Sequence, residues 1–214
     1  MISDAGAIEL TRCRFAVVDI ETTGARPERG GRLIEVAVAI LEDGTVHLAY
    51  EVVLDPGSPI PVWVTRLTGL GERDVVGRPR FQDVATVLRR TLEDGVFVAH
   101  NARFDWRHLA AEWTAAGVAG PGGRALCTVK LTRRLVPALR HRGLDQVSAF
   151  FGVANPARHR AFGDALTAAY VLRSLLGLAR DQGVETLDDL LDLHDRPRHR
   201  PPPLAPRPTV WPSV

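Results

Sequence analysis

Asp19 and Glu21 stand two residues apart in the run Arg14-Phe15-Ala16-Val17-Val18-Asp19-Ile20-Glu21. On a β-strand such residues project from one face, while Val18 and Ile20 point the other way. Two acids on an otherwise apolar strand repel each other and are costly to desolvate, which a divalent cation would relieve. Hard oxygen ligands of this kind suit Mg²⁺ or Mn²⁺ better than zinc. Taken alone, the pair also fits two solvated acids on an edge strand. Asp105 ends the run His100-Asn101-Ala102-Arg103-Phe104-Asp105, in the first turn of a helix after a buried strand. An acid there can simply complement the helix dipole. The third group is His159-Arg160-Ala161-Phe162-Gly163-Asp164-Ala165. Its spacing works if Asp164 enters a long apolar helix and His159 sits on the loop before it.

The elements that must position these residues are legible from their patterning. Residues 14–21, Leu33 to Leu41 and Val46 to Leu54 read as strands, with Asp43-Gly44 as the turn of a hairpin. Three strands in antiparallel succession result. A short helix over Val62–Leu70, a helix over Phe81–Glu93, a strand over Val96–His100 and a helix over Arg103–Ala116 follow. A brief strand at Ala125–Cys127 precedes helices at Val129–Leu135, Leu144–Phe151 and Ala161–Arg180. The last is apolar nearly all round and belongs deep in the core. Strands followed by alternating helices and strands specify a mixed α/β sheet. Residues 1–12 read as a lead-in, 13–180 as the principal domain, and 181–214 as a weak amphipathic segment followed by a Pro/Arg tail.

The 214 residues suit one domain with an appendage. Hydrophobic residues at 45% and charged residues at 24% allow a core of ordinary size. No uninterrupted apolar run of about 18 residues and no basic-then-apolar start point to a membrane span or secretory leader. Cys13 and Cys127 lie far apart among apolar residues, as buried thiols in a reducing cytoplasm do. The net charge is +2, but residues 195–214 carry +3 through Arg196, Arg198, Arg200 and Arg207 against Asp195, which leaves −1 on the rest. A neutral body with a basic tail would handle nucleic acid at a local site rather than over a broad positive surface.

In this order and spacing the three groups resemble the DEDDh 3′→5′ exonucleases, which include the proofreading epsilon subunit of bacterial DNA polymerase III. The likeness covers about residues 13–180, and Leu67-Thr68-Gly69-Leu70 looks like the family's segment beside the primer 3′ end. It implies a ribonuclease H-like five-stranded sheet of order 3-2-1-4-5 flanked by helices. It also implies two divalent cations, Mg²⁺ or Mn²⁺, on Asp19, Glu21, Asp105 and Asp164, with His159 as general base. The implied product is a nucleoside 5′-monophosphate from a single-stranded or frayed 3′ end of DNA, in proofreading or repair. Backbone at Thr22 and Thr23 is expected at the terminal 3′-OH, and Asn101 at a ligand or phosphate oxygen. Phe104 and Leu70 are candidates to stack on terminal bases or to be core. Among Arg103, Arg107, Arg133, Arg134, Arg158 and Arg160, the first candidate phosphate contact is Arg160. His100 is expected to be a satisfied strand residue. RNA cleavage of the ribonuclease T or oligoribonuclease type is the rival within this chemistry. A non-catalytic module docking a polymerase or other replication or repair partner through the tail is the rival outside it.

Overall fold

The computed structural model describes residues 8–197. Strands β1 (Phe15–Thr22), β2 (Leu33–Glu42) and β3 (Thr45–Val53) run antiparallel in succession. Strands β4 (Val96–Ala99) and β5 (Ala125–Cys127) extend the sheet parallel to β1, in the expected order β3-β2-β1-β4-β5. The β2–β3 hairpin closes on Asp43 (φ 49°) and Gly44 (φ 73°). Two successive positive φ values match the strand twist, and Asp-Gly supplies them at little cost.

Helices α1 (Val62–Thr68), α2 (Glu72–Val75), α3 (Phe81–Leu92) and α4 (Ala102–Ala115) follow, then α5 (Thr128–Leu135), α6 (Leu144–Phe150), α7 (Ala161–Asp181) and α8 (Leu187–Asp195). The alternation along β1 assigns its two faces. Ala16, Val18 and Ile20 pack with residues of α3 and α4, including Phe81, Leu88, Leu109 and Trp113. Phe15 and Val17 pack with α7 residues Ala165, Ala168, Leu172 and Leu175. A strand covered on both faces must be apolar throughout, so its two acids can sit only where that cover ends. They do: Asp19 and Glu21 continue the α7 face to the carboxyl end of β1, and both are half-buried.

Helix α7 is long and apolar enough to cross a membrane by length and composition alone. Here it lies against β1, β2 and β3 and touches α5 and α6, with Ala165, Ala169, Leu172 and Leu175 fully buried. Both cysteines are free thiols, Cys13 buried and Cys127 half-buried.

The chain's two ends depart from expectation. Helix α8 is part of the body: Leu190, Leu191 and Leu193 belong to the same core cluster as α7. Thr186 and Asp189 cap its start reciprocally, the Thr186 hydroxyl accepting from the Asp189 N–H and the Asp189 carboxylate accepting from the Thr186 N–H. The lead-in is tied to it, Leu10 N–H donating to Glu185 O at 2.9 Å and Leu187 N–H to Ile8 O at 2.9 Å. The Pro/Arg tail beyond residue 197 lies outside the described residues. If α8 is core, Leu190→Ala should cost about 2–5 kcal/mol in urea unfolding, as buried Leu truncations do. A cost near zero would make α8 an appendage after all.

Candidate metal centre and active site

Four carboxylates meet at the carboxyl end of β1. Asp164 stands in the first turn of α7, and its oxygens come within 4.8 Å of those of Asp19 and Glu21. Asp105 arrives from the other side of the sheet, in the first turn of α4, and is 3% exposed. The nearby Ile20 backbone favours its charged form, against the larger effect of burial. Asp105 is not part of the 4.8 Å trio.

Each acid resists ionisation. Burial, then the charges of Asp105, Asp164, Glu21 and Glu35, hold the Asp19 carboxyl well above the usual range. Burial and the charges of Asp164 and Glu35 push Glu21 up to about 8, with Arg160 opposing. Asp105 also reaches about 8, mainly through burial. Asp164 is raised by burial, against hydrogen bonds from Asn155 and from the His159 N–H. Clustered, desolvated hard oxygens whose mutual repulsion Arg160 offsets only in part are a donor set that fits divalent cations.

His159 lies on the loop before α7 and adopts φ 58°, a left-handed conformation unusual for a side chain of its size. Its N–H donates to Asp164 Oδ2 at 3.2 Å. The loop is pinned further by Asn155, whose amide donates to Asp164 Oδ1, and by Arg158 pairing with Asp145. Gly163 permits the close approach, since a Cβ there would meet Ala157 O at 2.3 Å.

The substrate candidates divide. The Thr23 N–H donates to Arg32 O at 2.8 Å, so it is not a free donor for a 3′-OH. The Thr22 hydroxyl donates to Gly24 O at 3.0 Å, and both threonines are buried. Leu70 is core, 5% exposed and packed with Ile34, Ile60, Val64 and Val75. Its Gly69 neighbour closes α1 in a left-handed cap, which turns Leu70 inward. Phe104 is half-buried against His108. Asn101 is exposed with φ 81° at the start of α4. Arg160 is held by Glu35, and Arg107 and Arg158 pair with Glu28 and Asp145, so these guanidiniums are engaged within the protein. His100 is satisfied as expected, its ring nitrogens at 2.8 Å from Thr128 Oγ1 and 3.0 Å from Arg142 O.

Three features escaped the sequence reading. Glu35 sits directly opposite Glu21 on β2 and is fully buried. Asn155 bonds Asp164 from a loop without a regular pattern. Trp63 on α1 is 57% exposed, one turn from Leu67 of the segment already singled out, which is 46% exposed. Helix α1 rests on Ile34, near the Thr22 end of β1, so this apolar pair flanks the carboxylate end of the sheet. An i, i+4 apolar pair could have flagged them, but it reads equally as core.

The raised carboxyls have a consequence for stability. Between its unfolded and folded pKa, such a group binds more protons folded than unfolded, so stability is full at low pH and falls as pH rises. Without divalent ions, wild type should lose Tm relative to Glu21→Gln from about pH 5 to about pH 8, the window set by the raised value of Glu21. Melting curves across pH check this, and parallel profiles for the two proteins would contradict it.

Comparison with known proteins identifies the family. Residues 16–172 match the RNase T exonuclease family, described as exonuclease. The chain is 30% identical over 181 residues to the 3′-5′ exonuclease DinG of Bacillus subtilis, covering 85% of this chain and 19% of that protein. It is 30% identical over 158 residues to a PolC-type DNA polymerase III of Streptococcus suis, covering 74% of this chain and 11% of that protein. It therefore spans a small part of the curated relatives it matches. Among solved structures it resembles exonuclease X in complex with 5′ overhanging duplex DNA, with TM-score 0.67 and 24% identity over 84% of this chain and 99% of that one. The nuclease domain of 3′hExo, a DEDDh family member bound to rAMP, superposes with TM-score 0.67 at 14% identity over 79% of this chain and 94% of that one. The chain belongs to the RNase T exonuclease family.

Proposed function

We propose that the protein removes nucleotides from the 3′ ends of DNA, as a metal-dependent exonuclease serving proofreading or repair. The observation that carries this reading is the convergence of Asp19, Glu21 and Asp164 within 4.8 Å, with His159 bound to Asp164 through its backbone. Asp19, Glu21 and Asp164 would hold one divalent cation, and Asp19 with Asp105 a second. Such ions, Mg²⁺ or Mn²⁺ when bound, would polarise the phosphodiester and acidify the attacking water.

The chain's own residues do the rest. His159 takes the proton from the water, a task suited to imidazole because its ordinary pKa of about 6.5 lies near neutrality. Asp164 keeps that residue in place from beside it. Trp63 and Leu67 offer an apolar wall against which a splayed terminal base can rest, a contact indifferent to base identity. Asn101 and Arg103, both exposed at the start of α4, face solvent where the strand's phosphates would run.

The DNA preference draws on the relatives, which include a 3′-5′ exonuclease and PolC-type polymerases. A polymerase partner reached through the tail, and a cytoplasmic location, follow from the same reading. DNA and RNA oligonucleotides of one sequence compared under identical conditions decide the substrate: faster DNA cleavage is expected, and faster RNA cleavage would overturn that part.

The reaction itself is tested with single-stranded oligonucleotides labelled at either end, in Mn²⁺. Mononucleotides should appear from the 3′ end only. Asp19→Ala should abolish release, and His159→Ala should slow it roughly 10²–10⁴-fold, the usual size of a general-base contribution, with Mn²⁺ binding unchanged. Release from the 5′ end, or an active Asp19→Ala protein, would rule out this mechanism.

A further inference from the structure

Glu35 is a fifth acid in the crowd, 0% exposed, and no step above uses it. It lies opposite Glu21 on the α7 face of the sheet, and its charge adds to the burden on both Asp19 and Glu21. An apolar residue would fill that position without such a conflict, as Ala37 and Ala39 do further along β2. Its bonds show what it does instead. Arg160 donates Nε to both carboxylate oxygens at 3.0 and 3.2 Å and a terminal nitrogen to Oε1 at 2.6 Å. The Ala161 N–H donates to Oε2 at 2.7 Å.

Both partners follow His159 directly in the chain. His159 sits at φ 58°, a conformation that persists only when its surroundings impose it. On one side its own N–H is held by Asp164. On the other, the next two residues are held by Glu35. We propose that Glu35 is a positioning residue: through Arg160 and the Ala161 N–H it fixes the backbone of His159 and so aims the imidazole at the carboxylate cluster. The proposal rests on the exonuclease reading above for the role of His159, but the clamp is a property of the fold. Glu35 is not a metal ligand in this account, because both its oxygens are already engaged and it stands outside the trio that can share an ion.

The test uses Glu35→Gln, which keeps the shape and can still accept from Ala161, together with Arg160→Lys, which removes the two-pronged geometry from the other side. With a single-stranded DNA oligonucleotide and Mn²⁺, each should lower kcat about 10–10²-fold and leave KM within about threefold, as a small misplacement of a catalytic group does. Glu35→Gln combined with His159→Ala should be no slower than His159→Ala alone, since an imidazole that is absent cannot be misaimed. Losses that multiply in the double variant would overturn the proposal in favour of a general structural role. Weakened Mn²⁺ binding in Glu35→Gln would overturn it in favour of a ligand. Amide hydrogen exchange gives a readout independent of turnover: the His159 and Ala161 N–H groups should exchange at least tenfold faster in Glu35→Ala, which removes both acceptor oxygens, while β1 amides keep their protection. Unchanged exchange at both would remove the clamp. An inactive wild type would sink the exonuclease reading, and the exchange result would still judge the clamp by itself.

Discussion

Mutual repulsion among buried carboxylates is the constraint around which this protein is arranged. Asp19, Glu21, Asp105 and Asp164 crowd one end of the sheet, and Glu35 stands beside them. At such separations like charges in a partly desolvated site interact by several kcal/mol, far more than in water. No fold would gather them for stability. What keeps them together is the cover on either face of β1, which fills the strand's interior with apolar contacts and leaves acids only at its exit. Two helices then begin at that exit. Asp105 and Asp164 both occupy first turns, where the positive end of the helix dipole offsets part of the cost of a negative charge.

The loops around the cluster are fastened from both sides of the sheet. On the α4 side, Arg32 pairs with Glu112 at 2.7 Å, Arg107 pairs with Glu28, and the His108 ring spans Phe104 O and Gly24 O at 3.1 Å each. These contacts hold the connection between β1 and β2, which begins at Thr23 just past Thr22. On the α7 side, Glu35 and Asp164 hold the loop of His159. Groups that must meet a substrate within a fraction of an ångström need such support, because a loop left to itself samples many positions.

What could be read in advance follows from the range of each signal. The apolar runs of β1 and β2, the same-face spacing of Asp19 and Glu21, and the apolar wrap of α7 are local patterns, and they placed Asp19, Glu21 and Asp164 on the right elements. The Asp43-Gly44 turn was equally local. Leu70 was left open between stacking and core, and Arg160 was named as a phosphate contact without its partner, because packing and pairing supplied by the fold decide both surroundings. Leu70 is turned into the core by the Gly69 cap, and Arg160 is captured by Glu35, 125 residues away. Glu35 itself was hidden inside the apolar run Leu33 to Leu41, where one acid carries no periodic signature. Helix α8 looked weak because its apolar face makes sense only against α5 and β5. Local chemistry was legible, and pairings made by the fold were not.

The central claim is that this crowded end of the sheet exists to take up divalent cations. Carboxyls raised towards pH 8 are largely protonated at neutrality, so binding a cation must expel protons. Calorimetric titration with Mn²⁺ at pH 7, repeated in buffers of different ionisation enthalpy, measures that release directly. Saturable binding is expected, with about one proton or more released per protein molecule, declining towards pH 9 as the carboxyls ionise beforehand. Absent binding, or binding with no proton released at pH 7, would contradict it.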